Sequence, residues 1–293
     1  MIASTAALTR NARGLGFAVP AVNVVDVLSL RAVIAAATAQ RSPLIVQVSV
    51  KTLRTVGVDL LTFAFREAAT EAPVPLCLHL DHCPDRTVIE QVVAAGWSSV
   101  LFDASDRDLA TAERETREVT QEAHAAGVDV ESEIENIVGL EDGVGSAEAD
   151  HAYSVDVLAA VAERTQVDLL APALGTAHGR YTSRPKLLPE RARELASLTD
   201  LPLVLHGGTG LSKEDYAAFI AAGVSKINIS TVLKVAYLRA AQRHMEKAAE
   251  RDAWEPLAMF DQVAQAVTDE VSGYLRDFGA AGRAGDVVRG VTA

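Results

Sequence analysis

Eight short runs rich in β-branched and apolar residues recur along this chain, each separated from the next by a stretch of helical periodicity. That alternation restricts the fold to repeated βα units around a parallel sheet, because parallel strands need a long crossover and a helix usually supplies it. The runs fall at 17–24, 44–49, 76–81, 99–105, 129–135, 167–174, 203–207 and 225–230. Helical stretches at 27–40, 59–70, 85–95, 108–126, 155–164, 189–198 and 213–222 fill the gaps, and two more, 231–251 and 255–277, follow the eighth run. Eight units predict an α/β chain closed into a (β/α)8 TIM barrel. One of the last two helices completes the barrel, and the extra C-terminal helix is left for a subunit interface. The runner-up, an open doubly wound sheet, lacks its Gly-rich dinucleotide fingerprint after the first strand. Gly96, Gly127 and Gly223 follow three of the helices as left-handed caps, and Ser212 with Asp215 reads as a capping box before 213–222.

With 293 residues and 49% hydrophobic content, the chain is expected to form one domain over 1–293 around one large core. Lys and Arg number 27 against 39 Asp and Glu, a net charge of −12, and no basic run offers a footprint for nucleic acid. Residues 1–16 lack the apolar stretch and cleavage site of a secretory signal, and apolar runs such as 32–39 are far shorter than the ~20 residues that span a bilayer. A cytoplasmic protein with no membrane partner is the expectation, with Cys77 and Cys83 as free thiols.

In such barrels chemistry sits at the C-terminal ends of the strands. His82, His178 and His206 fall there, after the third and sixth runs and near the end of the seventh. Three histidines at one mouth suit a divalent metal that keeps an open position for substrate, whereas a lone histidine there is ordinarily a hydrogen-bonded structural residue. The fifth run alternates Glu131, Glu133 and Glu135 onto one face. If that face points inward, the carboxylates need a metal or a buried cation, and Lys226 on the eighth run is the expected counter-charge. The alternative has them facing the helix layer or solvent. Gly207-Gly208-Thr209-Gly210 after the seventh run, with Asn228, Ser230 and Thr231 ending the eighth, reads as a phosphate site at the usual place for one, or as a tight turn only.

Leu80-Asp81-His82, Ala173-Leu174-Gly175-Thr176-Ala177-His178-Gly179, His206-Gly207-Gly208-Thr209-Gly210 and Lys226-Ile227-Asn228-Ile229-Ser230-Thr231 together resemble, in order and spacing, the class II metal-dependent ketose-bisphosphate aldolases. The resemblance runs from Ala18-Val19-Pro20-Ala21-Val22-Asn23 to Phe278-Gly279. It implies an aldehyde-lyase that cleaves a ketose 1-phosphate or bisphosphate, reversibly, to dihydroxyacetone phosphate and an aldehyde. It implies zinc or another divalent ion on His82, His178 and His206, with Glu133 as an alternative or second-site ligand. Dihydroxyacetone phosphate would be bound by Gly179, Gly207, Thr209, Asn228, Ser230 and Thr231, with Asn23 and Ser49 nearby. Asp81 matches the acid/base at the cleaved bond, and Glu141 the mobile-loop base that moves the proton on the dihydroxyacetone phosphate carbon. A metal suits such a reaction, because it stabilises the enediolate charge where it develops. A homo-oligomer, dimer or tetramer, is expected.

Of three departures, the first bears on the loop that carries Glu141 and the other two on the aldehyde end. After the Glu-x-Glu of the fifth run this chain has Glu135-Asn136 where many relatives have glycine. Lys51 and Arg54 follow the second run where many relatives have small residues, either as substrate cations or as solvated ones. Leu257 stands where many relatives carry an arginine for the second phosphate, so a 6-modified ketose 1-phosphate such as a 6-sulfo sugar is the alternative substrate. Among other classes, a metal-dependent barrel hydrolase would carry His-x-His at the first strand, which here ends Ala21-Val22-Asn23-Val24. A Schiff-base aldolase would use Lys226 as its nucleophile. A non-catalytic sugar-phosphate binder would not need Asp81, Glu141 and three metal ligands together.

Overall fold

In the computed structural model of the chain, which describes residues 1–137, 139–141, 144–146, 152–179, 181 and 184–289, eight parallel strands close into a barrel. In chain order the first part is α1 (Thr5–Leu15), β1 (Val19–Asn23), α2 (Val27–Gln40), β2 (Leu44–Ser49), α3 (Val50–Val56), α4 (Val58–Glu71), β3 (Leu76–Cys83), α5 (Arg86–Ala94), β4 (Ser99–Asp103), α6 (Leu109–Ala125) and β5 (Asp129–Glu133). A short antiparallel ribbon, β6 (Gly139–Glu141) with β7 (Val144–Ser146), follows outside the barrel. The rest is α7 (Val155–Thr165), β8 (Leu169–Leu170), α8 (Pro189–Leu198), β9 (Leu203–Leu205), α9 (Lys213–Ala221), β10 (Val224–Ile229), α10 (Thr231–Arg251), α11 (Pro256–Asp277) and α12 (Ala284–Arg289). The (β/α)8 TIM barrel with additional C-terminal helices is therefore as expected from the eight-fold alternation. Among the described residues no helix is long and apolar enough to cross a membrane, and both cysteines are free and buried.

Strand alternation divides the interior into two layers. Val22, Val46, Val48, Leu78, Leu80, Val100, Phe102 and Val130 point outward into the main core beneath the helices. The opposite set points into the barrel: Val19, Ala21, Ile45 and Cys77 pack on Leu8 and Ala12, and Leu169, Ala171 and Val204 pack on Ala6. Helix α1 thus plugs the N-terminal end with apolar side chains, so the polar residues further along each strand collect at the C-terminal mouth. The sequence reading had no helix at α1, although its caps are present. Ser4 accepts from the Ala7 amide, and Gly16 closes the helix at φ 72°. Helix α3, the β6–β7 ribbon and α12 were likewise not anticipated.

The sixth strand is shorter than expected: pairing covers only Leu169–Leu170 rather than 167–174. Pro172 has no N–H to give a neighbouring strand, and the next amide, Ala173, donates to the Glu135 side chain instead. The third strand differs in the other direction, running on through His82 to Cys83 with a register shift between Leu80 and Cys83. His82 sits there in the left-handed region, at φ 43°. Strict alternation would send Asp81 inward and His82 out to the helix layer. The left-handed residue breaks the alternation, so adjacent side chains serve the same mouth.

Candidate active site

The three histidine rings meet at the mouth. Ring centroids are 4.9 Å apart for His82 and His178, 4.7 Å for His82 and His206, and 6.0 Å for His178 and His206. One nitrogen from each lies within 4.8 Å of the others, and His82, Asp103 and Glu133 form a second such group. For two of the rings the neighbours select the nitrogen that faces the gap. His82 Nδ1 is 3.0 Å from Asp103 Oδ2, which leaves Nε2 buried with no hydrogen-bond partner among the described residues. Asp103 is itself held by the Ser105 hydroxyl at 2.6 Å and amide at 3.1 Å. His206 Nε2 is 2.9 Å from Glu131 Oε1, and its Nδ1 is unpartnered. Glu133 Oε2 lies 2.9 Å from that Nδ1 without hydrogen-bond geometry, and it too is unpartnered. A buried ring nitrogen this close to a carboxylate oxygen needs positive charge, carried by a proton on the ring or by a metal ion in its place. This donor set fits a divalent metal on His82, His178 and His206, with Glu133 alongside.

Of the three fifth-strand glutamates expected on one face, two point inward and only one meets Lys226. Lys226 Nζ is 2.8 Å from Glu131 Oε2 and donates to Asn228 Oδ1 at 2.8 Å, and its side chain is 0% exposed. Glu135 lies past the strand end, where Arg191 at 2.6 Å compensates it and the amides of Tyr153 and Ala173 donate to it. The expected single counter-cation is thus corrected to two, because the strand stops at Glu133 and the chain turns away. A lysine ammonium held against a carboxylate is also a poor Schiff-base nucleophile, which removes that alternative's candidate. Lys226→Met is expected to cost roughly 3–5 kcal/mol, since Glu131 keeps its buried charge and loses its cation. Urea unfolding would show it, and a loss below about 1 kcal/mol would mean that His206 alone compensates Glu131.

Burial pulls the His206 imidazolium down, but the charges of Glu133 and Glu131 outweigh it and hold it up to about 9. His82 is likewise raised well above the ordinary imidazole value, burial being outweighed by Asp81, Glu133 and Asp103. His79 is pushed well below that value by burial and by Lys226, and is neutral. An imidazolium raised from ~6.5 in the unfolded chain contributes stability that is whole below that pH and lost as pH climbs through the folded value. Metal-free protein is therefore expected to melt at falling temperature from about pH 6.5 to about pH 9, while metal-loaded protein holds its Tm because the ion supplies the positive charge. A metal-free Tm that is flat or rising across that window would contradict this charge balance.

Beside the histidines, Asp81 Oδ2 accepts from Asn23 Nδ2 at 2.7 Å, and Asn23 Oδ1 accepts from Gln47 Nε2 at 2.8 Å. Asn23 and Gln47 are direct partners across β1 and β2, as Ser49 and Asp81 are across β2 and β3. Asp81 Oδ1 is buried with no hydrogen-bond partner among the described residues. Asn23, expected near the substrate, thus also holds Asp81, and Ser49 caps α3 by accepting from the Thr52 amide. Lys51 and Arg54 lie exposed on α3, where Arg54 pairs loosely with Asp85 at 3.6 Å. Glu141 ends β6, and its side chain lies outside the described residues.

The loops after β9 and β10 form a cradle of backbone. Gly207 has φ 65°, and a Cβ there would lie 2.4 Å from the Ala177 carbonyl oxygen; a Cβ on Gly208 would lie 2.7 Å from the Asn228 oxygen. Gly179 is also left-handed, at φ 89°. Ser230 is the N-cap of the 21-residue α10 yet makes no capping bond, and its hydroxyl is buried without a partner. An uncapped helix N-terminus with Thr231 as its first residue, beside freed glycine amides, suits an anion. Thr209 and Thr231 also line a cavity of about 470 Å3 that extends to Arg239 and Arg243 and includes none of the three histidines. Sequence reasoning missed Asp103, which ends β4 directly opposite Glu133 and could have been found as an acid at a strand end. It also missed Tyr181, whose hydroxyl donates to the Gly207 carbonyl at 2.7 Å and accepts from the Ala177 amide at 3.1 Å, with no motif to mark it.

The profile of the family described as fructose-bisphosphate aldolase class-II matches residues 3–283. Among solved structures, the YdjI aldolase from Escherichia coli K12 is 29% identical, with a TM-score of 0.84 over 97% of this chain and 100% of that one. A candidate fructose-1,6-biphosphate aldolase from Coccidioides immitis is 28% identical, with a TM-score of 0.87 over 95% and 96% of the two chains. The fructose-bisphosphate aldolase of Campylobacter jejuni, 21% identical with a TM-score of 0.79 over 96% of each chain, shares the fold.

Proposed function

The chain belongs to the class II fructose-bisphosphate aldolase family, an aldehyde-lyase family whose members depend on a metal, and from that premise we propose that it cleaves a ketose 1-phosphate, reversibly, to dihydroxyacetone phosphate and an aldehyde. The observation that carries this reading is a set of four buried atoms at one mouth that have no hydrogen-bond partner among the described residues: His82 Nε2, His206 Nδ1, Glu133 Oε2 and Asp81 Oδ1. The first three, with His178, would hold zinc or another divalent ion, and the fourth is left to handle a proton. When bound, the ion supplies positive charge beside the ketone oxygen, where negative charge collects as the carbon–carbon bond breaks.

The protein's own residues do the rest. Asp81, oriented by Asn23, takes the C4 hydroxyl proton; the C3–C4 electron pair stays with the dihydroxyacetone phosphate carbon, and the aldehyde leaves. Glu141 then delivers a proton to that carbon. Gly179, Gly207, Thr209, Asn228, Ser230 and Thr231 bind the phosphate, which fixes the ketone with respect to Asp81. The same reading has the protein unfolding as one domain and acting as a dimer or tetramer. Sedimentation at the 31.0 kDa of a single chain would contradict the latter.

The far end of the substrate is read from charge. Leu257 is 69% exposed on α11 and brings no cation, and Arg54 already leans on Asp85. A missing charge-assisted pair typically costs ~1.5–3 kcal/mol, roughly ten- to a hundredfold in binding. Fructose 1,6-bisphosphate is therefore expected to be a poorer substrate than a ketose 1-phosphate whose C6 group is uncharged or a sulfonate. Comparing kcat/KM for 6-phospho, 6-sulfo and 6-hydroxy ketose 1-phosphates, with Arg54→Ala alongside, tests this. A preference for the 6-phosphate that survives Arg54→Ala would reject it, and no cleavage of any of the three would reject the aldolase reading itself.

A further inference from the structure

We infer that Glu131 is a positioning residue that dictates which nitrogen of His206 meets the metal, and that Lys226 dictates in turn which way the group at position 131 faces. The inference rests on the metal reading above and concerns residues behind the ligands. Glu131 is wholly buried, and its two oxygens lie against different neighbours. Oε1 is 2.9 Å from His206 Nε2, while Oε2 is 2.8 Å from Lys226 Nζ and 3.8 Å from His79 Nε2. A carboxylate only accepts, so His206 Nε2 carries a proton, and Nδ1, on the side of Glu133, is the nitrogen that gives up its proton and supplies the lone pair when a metal binds. On His82 the selection is reversed: Asp103 engages Nδ1, and Nε2 faces the gap. The two rings therefore offer opposite nitrogens, each chosen by its own carboxylate.

Register explains why this arrangement is rigid. Glu131 lies opposite Leu101 on β4 and Leu169 on β8, with apolar neighbours on both sides. His79 extends the polar column downward, its Nδ1 2.7 Å from Ser99 Oγ, which is 2.7 Å from Thr5 Oγ1 on the plugging helix α1.

The Glu131→Gln variant separates positioning from bulk. Glutamine has one oxygen and one N–H2. The Lys226 ammonium tolerates only the oxygen, so the N–H2 is turned to His206 Nε2 and the ring proton is driven to Nδ1, the atom needed for metal. Divalent affinity, read by competition between zinc and a chromophoric chelator, is expected to fall ~10–100-fold, the usual effect of losing an outer-shell partner. The double variant Glu131→Gln with Lys226→Met removes the ammonium, lets the glutamine oxygen return to His206, and is expected to regain most of the affinity. A merely structural role predicts that the second change adds damage or does nothing. Affinity within about twofold of wild type in the single variant, or a double variant no tighter than the single, would overturn the inference.

Wild-type protein loaded with 113Cd supplies a readout that needs no variant to fold. The cadmium is expected to couple to His206 Nδ1 and His82 Nε2. Coupling to His206 Nε2 overturns this inference alone, whereas cadmium that couples to none of the three histidines overturns the metal reading on which it rests.

Discussion

Stripping the divalent ion is expected to abolish carbon–carbon cleavage, and His206→Ala is expected to do the same with metal in excess. The ion is the group able to hold several kcal/mol of developing charge in this mouth, and at about 1.4 kcal/mol per tenfold that corresponds to a loss on the order of 10³-fold or more. His206→Ala acts twice. It removes one of three imidazole donors, and it takes away the ring that lies against both Glu131 and Glu133, leaving Lys226 beside the first and His82 beside the second. The measurement is turnover after chelation and dialysis, followed by re-addition of zinc, beside metal content per chain for the variant. Turnover that survives complete chelation, or His206→Ala within about tenfold of wild type in kcat/KM, would falsify the metal route.

Asp81→Ala is expected to lose cleavage by roughly 10²- to 10⁴-fold, the range for removal of a general acid–base group, while retaining fold and metal. Asp81 has one oxygen tied to Asn23 and the other buried and unpartnered, so the residue contributes to orientation and proton transfer more than to packing. The same variant should still exchange the dihydroxyacetone phosphate proton with deuterated water, because that proton belongs to Glu141. Glu141→Ala should show the converse, with exchange lost. If Asp81→Ala cleaved at the wild-type rate, or if Glu141→Ala exchanged at the wild-type rate, the division of labour between the two acids would be wrong. Asn23→Ala should fall between, lowering kcat more than it raises KM, because it turns Asp81 without removing it.

The barrel and the identity of its chemical groups were legible because both rest on local properties. Period-two alternation in eight runs carries strand number and shared faces, so Glu131 and Glu133 were placed on one face, with Lys226 as their counter-charge if that face points inward; the closed barrel decided that it does. Strand ends mark where side chains can do chemistry, which is why His82, His178 and His206 stood out by position, whereas Asp81 was singled out by the family resemblance. Local rules also failed where the chain departs from them. Alternation cannot announce the left-handed His82 that turns two adjacent side chains into one mouth, and apolar character at 167–174 outlasted the pairing that Pro172 ends.

What the tertiary structure alone decided is who faces whom. Glu135 was grouped with its two strand neighbours, but a turn past Glu133 gives it to Arg191, 56 positions along the chain. Glu131 meets His206 across 75 positions, His82 meets Asp103 across 21, and Asn23 meets Asp81 across 58. Helix α1 read as an unremarkable N-terminus, yet it seals the barrel floor and carries Thr5 to the foot of the His79 column. The physical reason is common to all of these. Residue type and spacing establish which groups a strand presents and on which face, whereas the partner of a buried charge is chosen only when barrel closure brings side chains of distant strands within about 3 Å.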